Sequence, residues 1–286
     1  MLLSPLTAQE GETPGTYVLA REGAPLPAGK TFANKRAISM TDAKMALEAG
    51  EQVVQGVMST LEEEERLIEF VDQTKVRISV TKQNKQMAMQ VGQAPVRKRG
   101  RVKATEGKVF LVEKVDGKWS AKVEKGEVTK EQEEEIQREL KSLETKFSEN
   151  YDTEIYGTEP RKIGESWKVA ARFVPLAAGL DIKEGECTLE FKEVKTIDGE
   201  DFAVLKMVYD IKAVSDEVDQ KGMSLHFTGT GETLRSLSLL MDYQFDGESK
   251  VEIDGMLPIQ QGKEIAMKVS GVSRITSRTG EVKEGE

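Results

Sequence analysis

Ala203-Val204-Leu205-Lys206-Met207-Val208-Tyr209-Asp210-Ile211 places an apolar side chain at every second position. Side chains of an extended strand point alternately to opposite faces, so Ala203, Leu205, Met207, Tyr209 and Ile211 form one continuous row. Covering each of the larger ones stabilises the fold by roughly 1.5 to 3 kcal/mol, which makes burial of that face nearly obligatory.

The same period recurs outward in both directions. Downstream, Leu237, Leu239, Met241, Tyr243 and Phe245 predict a second strand face; upstream, Trp167, Val169, Ala171 and Phe173 oppose Lys168, Ala170 and Arg172. Further towards the N-terminus, Val76, Ile78 and Val80, then Met87, Met89 and Val91, then Trp119, Ala121 and Val123 alternate with polar or small residues. Asp116-Gly117, Asp198-Gly199, Asp246-Gly247 and Asp254-Gly255 predict hairpin turns, because turns of the primed kind need positive φ, which Asp and Gly tolerate.

One segment breaks the pattern. Thr129 followed by Gln132 reads as a capping box, Glu131, Glu133, Glu134 and Glu135 crowd the positive end of a helix dipole, and Ile136, Leu140, Leu143 and Phe147 fall on one helical stripe. This predicts an amphipathic helix of about five turns, Lys130 to about Ser148, lying on a sheet. Glu149 to Glu159 reads as a polar linker.

The expected architecture is therefore mainly β: an antiparallel meander forming one or two curved sheets or a half-barrel, with one long amphipathic helix near the middle. Its parts are a leader remnant and linker over 1–30, an N-terminal β half over 31–128, the helix over 129–150 and a C-terminal β half over 151–286. Residues 1–30 hold four of the eight prolines, Pro5, Pro14, Pro25 and Pro27, and no sustained period. The start, Met1 to Gly15, reads either as the tail of a secretory signal peptide without its basic front or as an ordinary disordered terminus. The two halves carry similar parts, including Gly117-Lys118-Trp119-Ser120 and Gly164-Glu165-Ser166-Trp167, as an internal duplication would leave.

Composition narrows the function. A net charge of -9, 38% hydrophobic residues and a mean hydropathy of -0.46 describe a globular chain with a well-solvated surface that repels phosphate backbones. Nucleic acid is not an expected partner. The strongest basic patch, Val96-Arg97-Lys98-Arg99-Gly100-Arg101-Val102-Lys103, lacks interleaved aromatics and reads as a solvated loop joining two strands, or else as an anion or partner site. No run approaches the roughly 18 apolar residues of a membrane helix.

Chemistry is sparse. Cys187, the single cysteine, shares a strand face with Leu189 and Phe191 and reads as a small buried hydrophobe. His226, the single histidine, points away from Leu225 and Phe227 and is expected on the sheet surface with no catalytic role. Thr228-Gly229-Thr230-Gly231-Glu232-Thr233 lacks the ending of a phosphate loop, and its glycines are expected to permit a bulge or a close strand approach. Glu62 to Glu65 and Glu133 to Glu135 read as solvated faces. No catalytic, metal or cofactor-binding residue is assigned, no cofactor is expected, and ligand-binding residues stay open. The 11 methionines, with Met87, Met89, Met207, Met241 and Met267 on apolar strand faces, suit either an adaptable apolar cavity or a filled core.

The strand meander, the segment Lys162-Ile163-Gly164-Glu165-Ser166-Trp167-Lys168-Val169, the Gly229-x-Gly231 strand and the long Leu/Met/Tyr/Phe strand resemble bacterial exported β proteins of unknown function. More distantly, the chain is similar to the unclosed β half-barrels of the periplasmic lipoprotein-carrier class. The resemblance covers residues 31 to 278 in layout and carries no functional residue over. It implies a non-enzymatic cell-envelope binding or scaffold protein, periplasmic or secreted, with a lipid or an envelope protein as partner; a cytoplasmic location stays open. The alternative is a carboxylate-based hydrolase, which requires acidic residues of distant strands to meet in a cleft with raised pKa values.

Overall fold

The computed structural model describes residues 15–148, 150–177, 180–215, 222–258 and 264–283. A two-residue β1 (Thr16–Tyr17) precedes the first meander: β2 (Thr31–Ala49), β3 (Gln52–Asp72), β4 (Lys75–Val91), β5 (Arg97–Val102), β6 (Val109–Val115) and β7 (Lys118–Lys125). Two helices follow, α1 (Glu133–Lys146) and α2 (Tyr151–Tyr156), then β8 (Arg161–Lys162), which pairs with β1. The second meander is β9 (Ser166–Val169), β10 (Leu180–Ile197), β11 (Glu200–Ser215), β12 (Ser224–Ser236), β13 (Asp242–Pro258) and β14 (Glu264–Glu281).

The two meanders form one sheet. Its order is β7-β6-β4-β3-β2-β14-β13-β12-β11-β10-β9, with β5 also on β4, so the last long strand closes onto the first. The β14–β2 seam runs from Glu281 opposite Phe32 to Ala266 opposite Glu48. The end strands stay unpaired with each other, leaving a curved, open antiparallel sheet. Register shifts bend the long strands at Met40/Ala43 of β2, at Glu65/Arg66 of β3 and between Ser270 and Ser273 of β14.

The alternating rows behave as expected over β4, β7 and β11, where Val76, Ile78, Leu205 and Ile211 are fully buried. Asp116-Gly117 and Asp198-Gly199 are the predicted turns, with φ of 50° and 78°, and of 51° and 83°. Asp246-Gly247 and Asp254-Gly255 are not turns: both lie inside β13, paired with β12 and β14. The glycines there make room for neighbours, since a Cβ on Gly247 would lie 2.8 Å from the Phe245 ring and one on Gly255 2.8 Å from Met223.

Three other expectations change. The row Leu237 to Phe245 is not one strand, because the chain turns between β12 and β13 and Leu240 takes a φ of 53°. Leu239, Met241 and Tyr243 nevertheless pack on the core, so an apolar spacing of two also arises in a loop that caps a sheet end. The row Trp167 to Phe173 stops as a strand at Val169; one-turn 3-10 helices at Ala171–Phe173 and Pro175–Ala177 then turn Ala171, Val174 and Ala177 into the core. The linker at 149–159 contains α2, whose Ile155 and Tyr156 are buried.

Helix α1 is shorter than the expected five turns. Thr129 to Gln132 forms a separate turn, in which the Thr129 N–H donates to Gln132 Oε1 at 3.2 Å, and the helix proper starts at Glu133. Ile136 and Leu143 are buried, Leu140 and Phe147 half-buried, against a lower cluster of Phe32, Phe70, Val76, Ile78, Phe110 and Val112. A larger cluster fills the rest of the concave face. Residues 15–30, read above as linker, contribute Leu19 and Ala20 to it; the leader reading of Met1 to Pro14 lies outside the described residues.

Candidate functional site

Read along β2, β3 and β4, the concave face has three zones. At the lower end Phe32, Ile68 and Ile78 stand in one cross-strand row beneath α1. In the middle Arg36, Glu64 and Gln83 share a row, and Asn34 stands opposite Arg66. Towards the β2–β3 turn come Met45, Met58, Met87, Met89, Val91 and Val54.

The middle zone is a layer of paired charges. Arg66 donates from Nη2 to Glu64 Oε2 at 2.9 Å and from Nη1 to Glu139 Oε1 of α1 at 2.7 Å. Gln83 Nε2 donates to the same Glu64 Oε2 at 2.8 Å. Burial alone would push the Glu64 carboxyl up, but Arg66, with Arg36 and Lys146 behind it, holds it below the ordinary range. Across the face Arg235, 1% exposed, donates to Asp242 Oδ1 at 2.9 Å, Asp152 Oδ2 at 2.6 Å and the Leu19 carbonyl at 2.7 Å, and lies 3.9 Å over the Tyr156 ring. Tyr156 Oη donates to Asp242 Oδ2 at 2.8 Å.

Acidic residues of different elements therefore do meet, as the hydrolase reading requires. Burial and the Asp242 charge outweigh Arg235 and raise the Asp152 carboxyl above its ordinary value. What the two carboxylates hold is a guanidinium that ties α2 and the N-terminal segment to the sheet.

Glu64 and Asp152 titrate with opposite signs. A carboxyl held low contributes stability that is lost as pH falls below the ordinary value of about 4.3, whereas one held high costs stability as pH rises through that range. Urea unfolding midpoints followed from pH 6 to 3 should therefore fall less steeply in Glu64→Gln than in the wild type. An unchanged slope would show that Arg66 does not hold the Glu64 charge.

Beyond the charged layer the concave face is apolar and rich in sulfur. Met40, Met45, Met58, Met207, Met223 and Met267 are buried in the larger cluster and Met87 and Met89 pack on it half-buried, so eight of the 11 methionines occupy this one face. Leu47 and Val91 are also half-buried there, and Val54 is 42% exposed. These thioethers fill the core, with a side of the row left facing water.

The other residues singled out in the sequence stand apart from one another. His226 is on the opposite face, bonded at 2.8 Å to Asp210 Oδ1, while Leu225 and Phe227 point inward. Cys187 is buried with Leu189 and Phe191, and burial pushes its thiol up to about 11. Gly229 and Gly231 allow close approach within β12: a Cβ would lie 2.4 Å from the Glu248 carbonyl oxygen and 2.5 Å from the Phe245 ring. Glu133 and Glu134 are solvated, but Glu135 accepts from Arg101 and from the Ala104 N–H. Glu64 likewise departs from the solvated reading of its run, because it faces inward on β3. The basic patch is not a loop; Arg97–Val102 is an edge strand on β4. Sequence reasoning missed Arg235, whose only signal is a long cation at a position where its strand row requires an inward side chain.

No family model and no curated protein matches the chain. Among solved structures it is similar to lipovitellin, in a structure concerned with lipid–protein interactions, at 8% identity over 90% of this chain and a TM-score of 0.43. The chain spans about a quarter of lipovitellin, 26%. It is also similar to a DUF1329 family protein from Desulfovibrio piger (10% identity, 90% of this chain, 87% of the other, TM-score 0.19). A beta-barrel-like protein of domain of unknown function DUF1849 from Brucella abortus matches at 9% identity, over 88% of this chain and 98% of the other, with a TM-score of 0.17. Among the described residues no helix is long and apolar enough to cross a membrane.

Proposed function

We propose that this protein is a non-catalytic binding scaffold of the cell envelope that holds an apolar ligand against the methionine-rich concave face of its open sheet. The observation that carries the reading is the gathering of eight methionines onto one face whose outer row, Met87, Met89 and Val91, is only partly covered. Thioether side chains are unbranched and repack at low cost, so they fill a core when the face is empty and reshape around a guest. An open sheet provides the entrance that a closed barrel lacks.

A neutral fluorescent apolar probe, N-phenyl-1-naphthylamine, tests it. Saturable binding to the full chain is expected, weakened at least tenfold by Met89→Asp, whose half-buried position near the sheet edge spares the fold. Absence of saturable binding, together with a bare protein mass on gentle release from the native source, would overturn the reading.

A further inference from the structure

The methionine face has a cationic edge. In the β4–β5 pair Arg97 stands opposite Met89, Arg99 opposite Met87 and Arg101 opposite Lys85. Directly opposed residues of an antiparallel pair share a face, with Cβ atoms about 4.5 to 5.5 Å apart. The three arginines therefore line the concave side, while Lys98, Gly100 and Val102 take the other. Helix α1 bears this out, since Arg101 Nη2 donates to its Glu135 Oε2 at 2.6 Å.

The helix begins at Glu133 and, of these three arginines, pairs with Arg101. Among the described residues no carboxylate lies within 4.0 Å of Arg97 or Arg99, and both are exposed. Basic residues commonly protect an edge strand from pairing with another chain. That role is indifferent to the face they occupy, whereas here the arginines stand beside the two half-covered methionines. A guanidinium presents a planar fork of donors that matches carboxylate or phosphate oxygens in pairs.

We propose that Arg97 and Arg99 bind the anionic head of a free, single-chain amphiphile whose apolar chain lies along Met87, Met89 and Met58. This rests on the apolar-ligand reading above. The head stays at the wet edge, where its desolvation is small, and the chain runs inward over the methionines.

Competition separates the two ideas. Oleate and oleyl alcohol, which share a chain and differ in the charge of the head, are titrated below their aggregation thresholds against the bound naphthylamine probe. Oleate is expected to displace it at about tenfold lower concentration than the alcohol, since a charge-assisted pair is stronger than a neutral hydrogen bond. The double variant Arg97→Gln, Arg99→Gln should bring oleate to the level of the alcohol and leave the alcohol unchanged; both positions are on the surface, so the fold is not at stake. Equal displacement by the two in the wild type, or a preference that survives the double variant, overturns the anionic head and leaves the apolar site standing. Binding to vesicles containing oleate with none to the free acid also overturns it. A probe that never binds, together with a bare protein mass on gentle release from the native source, overturns both.

Discussion

Arg235→Ala is expected to lower the free energy of unfolding by about 3 to 5 kcal/mol, the range for removing one partner of a buried ion pair. The guanidinium is 1% exposed and is the shared donor for Asp152, Asp242 and the Leu19 carbonyl. Removing it leaves two carboxylates facing each other and a carbonyl without its donor, and removes the plane that stacks on Tyr156. Three segments come loose together: the N-terminal stretch at Leu19, α2 at Asp152 and the start of β13 at Asp242. Urea denaturation measures the loss, and limited proteolysis should cut first near α2. Arg235→Lys should recover only a small part, because one ammonium cannot reach three acceptors in the directions of a planar fork. A midpoint within about 0.5 kcal/mol of the wild type, the ordinary range for surface changes, would mean that Arg235 does not hold these segments.

Leu143→Asp should cost about 2 to 5 kcal/mol, through the lost burial and the uncompensated charge beneath α1. Leu143 is 2% exposed in the lower cluster, whereas Leu140 on the same helix is only half-buried. Leu140→Asp should therefore cost clearly less, and the ratio of the two measures how the helix is rotated on the sheet. Thermal unfolding followed by circular dichroism reads both. Equal effects, or none, would mean that α1 does not dock through the Ile136 and Leu143 side. The helix has polar anchors as well: Glu139 receives Arg66, Glu135 receives Arg101, and Glu144 accepts from the Ala121 N–H at 3.0 Å. A stripe argument cannot see these, since the acids lie on flanks that look solvated in a helical projection.

Antiparallel β class, the buried rows of β4 and β11, the half-buried row of β7, the helix near residue 136 and the turns at Asp116-Gly117 and Asp198-Gly199 were all legible in the sequence. They depend on local rules: a strand alternates its side chains, a helix repeats every 3.6 residues, and a tight hairpin needs positive φ. Cys187 and His226 were placed correctly for the same reason, because a residue's face follows from its neighbours once the strand is known.

Only the tertiary structure decided that the two meanders are one sheet, since nothing local in Phe32 to Glu48 names Ala266 to Glu281 as its partner. It also decided that Leu237 to Met241 turn rather than extend, that Asp246-Gly247 and Asp254-Gly255 sit inside a strand, and that Glu64 and Arg235 are buried. The candidate site belongs to this second group. Methionines scattered from Met40 to Met267 come together through strand order, and Arg97 and Arg99 reach their side through the register of β5 on β4. Periodicity assigns a residue to a face; which strands share that face is set by long-range pairing, whose free energy depends on the whole sheet and leaves no mark at any single position.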